Sequence, residues 1–62
     1  MRLVHFTEPN GAPVGINPDQ VENVRDAEPG AYAPGARTVI VLANGFQAVR
    51  EPRSEVESRL AS

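Results

Sequence analysis

The side chains of this 62-residue chain that could do chemistry are few: one imidazole, one phenol, eight carboxylates and six arginines, with no lysine and no cysteine. His5 is the sole imidazole base, and Thr7 stands two residues on, on the same face of an extended strand. A nucleophilic triad also needs a carboxylate that converges on such a pair in a cleft. Nothing in the sequence brings one there, so His5 reads as a half-exposed strand histidine and not as a base or ligand. Without cysteine there is no disulfide and no thiolate metal site, and one histidine with scattered carboxylates is a poor metal set. The Lys-dependent phosphate loop is impossible, no G-x-G-x-x-G occurs, and no Asn-x-Ser/Thr acceptor is present. The expectation is a chain with no catalytic residue, no cofactor and no metal, hence not an enzyme.

Two features point to contact with a partner instead. Arg2, Arg37 and Arg50 fall at strand ends, where distant cations can gather into a phosphate patch; the plainer reading is three solvated strand ends. The net charge of −2 weighs against nonspecific nucleic-acid binding, which wants a basic footprint. Tyr32 lies in the biased segment AEPGAYAPGA, residues 27–36, between two Pro-Gly pairs. Pro-Gly marks turns, so this is expected to be a loop projecting from the sheet. Tyr32 is either an aromatic anchor for a partner or a ring that folds back over the sheet.

These residues must be positioned by strands. The stretch Arg37 to Arg50, RTVIVLANGFQAVR, is two β-favouring runs around Asn44-Gly45, a strong hairpin signal. A two-residue type I′ turn there sets Ala43 opposite Phe46. A type I turn with a bulge sets Leu42 opposite Phe46, and both registers stay open. Val39 to Leu42 are apolar without alternation, so the ribbon is apolar on both faces. Two covers are required: the C-terminal helix on one side, and a folded-over layer of sheet or a second copy of the chain on the other.

The remaining elements follow in order. Arg2 to Thr7 alternates as a strand and leads into Glu8-Pro9-Asn10-Gly11. A three-residue loop Pro9-Asn10-Gly11 with glycine left-handed pairs Phe6 with Val14 and Val4 with Ile16, whereas a two-residue loop scatters these apolar groups. Strands are expected at about 2–7, 13–17, 21–26, 37–43 and 46–50. Asn17 caps a single helical turn begun by Pro18. Val21 and Val24 would sit on opposite faces of a regular strand, a hint of a strand between layers or of a bulge. The one helix, about 52–61, carries a narrow Val56/Leu60 stripe and a Glu55–Arg59 pair. Its start is set by Pro52 or by the capping box Ser54-x-x-Glu57.

Asn10-Gly11, Ile16-Asn17-Pro18-Asp19, Val21-Glu22-Asn23-Val24, Thr38-Val39-Ile40-Val41-Leu42-Ala43-Asn44-Gly45, Val49-Arg50-Glu51 and Glu55-Val56 occur in that order along the chain. In this the sequence resembles the FlbD-type family of small bacterial flagellar and swarming-motility proteins. It departs at the Tyr32 loop, which is longer than the family's. The resemblance implies a cytoplasmic, non-enzymatic accessory protein and brings no catalytic or ligand residue with it. A weaker likeness is to the Csr-type RNA-binding regulators, on the ending Glu55-Val56-Glu57-Ser58-Arg59-Leu60, where Arg2 and Arg50 are the possible stand-ins for the residues that grip RNA.

The reading is therefore a single mainly β domain: a small antiparallel sheet or open barrel of four to five strands with one short C-terminal helix. So short a chain hides only about 60% of its unfolded surface. With no disulfide or metal to help, a homodimer is expected. No signal peptide and no membrane span are expected. The function expected is a protein-interaction or accessory module, motility- or phage-related; the alternative is a small RNA- or DNA-binding regulator.

Overall fold

A computed structural model describes residues 2–28 and 30–61. Pro29, half of the first Pro-Gly pair, and the terminal residues 1 and 62 lie outside the described residues. The strands are β1 (Val4–Thr7), β2 (Pro13–Ile16), β3 (Val21–Asp26), β4 (Thr38–Leu42) and β5 (Gly45–Val49), followed by one helix, α1 (Arg53–Ala61). They form two antiparallel sheets, β1-β2 and β3-β4-β5, and no closed barrel. No helix among the described residues is long and apolar enough to cross a membrane.

The first hairpin takes the register that gathers its apolar groups: Val4 pairs with Ile16 and Phe6 with Val14. Gly11 sits at φ +95 and its N–H donates to the Glu8 carbonyl oxygen at 2.8 Å, closing the three-residue loop. Asn17 accepts the Asp19 N–H at 3.0 Å and caps one 3-10 turn, Pro18–Gln20. In β3 the pairing shifts between Val21 and Asn23. The extra residue of this bulge returns both Val21 and Val24 to the core side.

The second hairpin adopts neither expected register. Leu42 pairs with Gly45, Val41 with Phe46 and Val39 with Ala48. The loop is Ala43-Asn44, and neither residue has positive φ, so the turn is not of the primed type. An unprimed turn has the wrong twist for a two-residue hairpin loop. Gly45, at φ +153, takes up the mismatch in a region that disfavours side chains. The parity that results sends Val49 into the core. It also carries the chain on so that the Arg50 N–H donates to the Thr7 carbonyl oxygen at 2.8 Å and the Thr38 hydroxyl to the Glu51 carbonyl oxygen at 2.6 Å.

One face of β3-β4-β5 is sealed by the other two parts of the molecule. Phe6 and Ile16 of the first hairpin and Val56 of α1 pack with Ile40 and Val49 into a single buried cluster. Leu42, Val24 and Leu60 pack at its margin. The helix begins at Arg53, with the Pro52 carbonyl oxygen accepting from the N–H groups of Glu55 and Val56 at 3.0 Å. Ser54 thus lies inside the first turn and is not the cap.

Candidate binding face

The opposite face of the three-stranded sheet is built by register. Asn23, Val41 and Phe46 stand side by side across β3, β4 and β5, and Arg25, Val39 and Ala48 form the next row. Val39 is 2% exposed yet does not belong to the core cluster on the other side. Tyr32 of the loop after β3 reaches this face. The Tyr32 ring meets the Phe46 ring edge-on, centroids 5.6 Å apart and planes at 74°. The loop therefore does not project: it folds back and supplies the second cover that the sequence had assigned to a further sheet layer or a second copy. The cover is partial, since Phe46 remains 63% exposed. Ala27, Tyr32, Pro34 and Ala36 are among the residues that line a hollow of about 400 Å³ within the loop, with Glu28 as the single carboxylate on its wall.

The arginines named from the sequence do not assemble as one patch. Arg2 is exposed and precedes β1 in the other sheet. Arg37 and Arg50 come together at one end of the β4-β5 pair, where the Arg37 N–H donates to the Val49 carbonyl oxygen at 2.9 Å. The Arg50 side chain lies between two glycines: a Cβ at Gly11 would be 3.9 Å from its Nη1, and one at Gly35 would be 3.8 Å from its Nε. Arg25 was passed over by strand-end reasoning, yet it stands on the face of Phe46. Among the described residues, Arg25, Arg37 and Arg50 have no carboxylate partner. Arg53 by contrast pairs with Asp26 at 3.4 Å. Phe46 was also missed as a contact residue; its place directly after the turn glycine is the signal that could have singled it out.

The polar groups on the helix side have a structural role. The Glu51 carboxylate accepts from the Thr7 N–H and the Thr7 hydroxyl, both at 3.0 Å. Arg59 donates to the His5 carbonyl oxygen at 2.9 Å and to Glu55 at 2.8 Å, lies 3.6 Å from Glu51, and sits over the Phe6 ring. Burial alone would raise the Glu51 pKa, but hydrogen bonds from Thr7 and from its own backbone, with the nearby Arg59 cation, outweigh it and hold the carboxyl below its ordinary value. His5 is exposed on β1, and no group of three or more His, Asp or Glu side chains that could hold a metal occurs among the described residues. In comparisons with known proteins, no family model matches the chain, and neither does any curated protein or any solved structure.

Proposed function

We propose that this chain is a non-enzymatic binding module that works through the face of β3-β4-β5 bearing Phe46. The carrying observation is a large aromatic ring, 63% exposed, on a face whose other apolar groups are largely shielded. Core demands do not explain Phe46, because the main cluster forms on the opposite side without it. The order of strand and turn motifs shared with the FlbD-type family supports an accessory role in bacterial motility or in a phage-derived system. Arg25, Arg37 and Arg50, without a carboxylate partner among the described residues, favour the nucleic-acid reading of the partner over the protein reading. Complementation of a deletion strain tests the proposal. A Phe46→Ser allele is expected to fail and a His5→Ala allele to succeed. Phe46→Ser removes the ring contact with Tyr32, worth about 0.5–1.5 kcal/mol, and leaves the core cluster intact, so the fold should hold. The reverse pattern, with His5 indispensable and Phe46 dispensable, contradicts the module and favours an enzyme.

A further inference from the structure

We propose that the Phe46 face binds single-stranded nucleic acid, with a base stacked on Phe46 and the phosphates running past Arg25 and Arg37. This rests on the binding-module reading and names its partner class. Phe46 is held edge-on by Tyr32 and still presents most of its surface to solvent. A braced flat ring is a platform that accepts any base, since every base has a π-face. Arg25 shares that face across the strand from Val39. Arg37 lies just before β4, at the end of the sheet where Arg50 also lies. None of the three has a carboxylate partner among the described residues. Charge is thus segregated in a chain whose net charge is −2: cations without a carboxylate partner among the described residues lie here, while Arg53 and Arg59 are neutralised on the helix side. Phe46 and Arg25 stand two strands and one row apart, roughly 10–12 Å, within the reach of one or two nucleotides. A second copy of the chain fits the face less well, because a two-fold interface would bring the same arginines against one another. Glu22 on β3 and Glu28 in the loop are the nearby carboxylates, so binding is expected to be of modest affinity and sensitive to salt.

The test is fluorescence anisotropy of a labelled short oligouridylate and its deoxythymidylate counterpart, titrated with the whole chain at about 25 mM salt. Saturable binding is expected, with Phe46→Ala weakening it about tenfold or more. Arg25→Gln combined with Arg37→Gln should weaken it further and lower the slope of log affinity against log salt by roughly 1 to 1.5. Arg53→Gln, on the helix side, should bind like the parent, and circular dichroism checks that each variant is folded. Preference for one oligonucleotide identifies the source as RNA or DNA. No binding up to about 0.2 mM protein overturns the inference. So does binding that Phe46→Ala leaves intact, or that Arg53→Gln weakens as much as the Arg25/Arg37 pair. If binding is absent while Phe46→Ser still fails to complement, the module reading stands with a protein occupant. If sedimentation then shows a dimer that Phe46→Ser dissolves, that occupant is a second copy. If Phe46→Ser complements as well, both readings fall.

Discussion

Glu51 joins parts of the chain that lie far apart in sequence: β1 through Thr7, β4 through Thr38, and α1 through Arg59. Its side chain is 11% exposed, so what it binds is largely screened from water. Glu51→Ala leaves the Thr7 N–H without this acceptor and should cost about 1–3 kcal/mol at neutral pH, read as a drop in urea midpoint. The sign of the pH dependence follows from the lowered pKa. The group stabilises the fold above the ordinary glutamate value of 4.5, and that contribution is lost as pH falls through the lower folded value. The gap between parent and Glu51→Ala should therefore narrow on acidification below about pH 4.5; a gap that is constant with pH contradicts the assignment. None of this was legible in the sequence, where Glu51 is one acid among eight. The same limit applies to Arg25, whose facing is set by the bulge at Val21/Asn23 and not by a regular alternation from the strand's start.

The first hairpin was legible down to its register because only one pairing gathers Val4, Phe6, Val14 and Ile16 on one side. The second was not, because β4 is apolar on both sides and the pattern cannot choose among its pairings. Turn chemistry had to decide, and Gly45 acts as the first strand residue rather than as a loop residue. Nothing lies within 4 Å of a Cβ built at Gly45, so Gly45→Ala acts through backbone strain alone. It should cost about 1 kcal/mol or more in thermal or urea unfolding. A stabilised Gly45→Ala variant would mean that the turn is not of this kind. The helix was foreseen from Val56 and Leu60, and Val56 is the residue it buries. Arg59→Ala, which removes the bonds to His5 and Glu55 and the contact with Phe6, should cost about 1–2 kcal/mol and show first as faster amide exchange across α1.

At the scale of the whole molecule, a domain of this length has roughly 3–9 kcal/mol of stability in all. Ile40 is fully buried at the centre of the cluster. Ile40→Ala, at about 2–5 kcal/mol, should remove about half of that stability, read as a large drop in urea midpoint by circular dichroism. The mainly β class, the two hairpins and the terminal helix could all be read from periodicity and turn residues. The second cover of the central sheet was legible only as one of two readings of Tyr32, because a Pro-Gly-rich loop carries no pattern that says which way it folds. That loop makes the candidate site: its Tyr32 ring braces Phe46 and leaves most of that ring open. The most direct check is the proton NMR of the single tyrosine in dilute solution. The Tyr32 ring signals should lie away from free-tyrosine positions and move back toward them in Phe46→Ala, while the Phe6 and Val56 signals stay where they are. Tyr32 signals at free-tyrosine positions, indifferent to Phe46→Ala, would mean that the loop does not rest on the sheet and that the proposed face is not built.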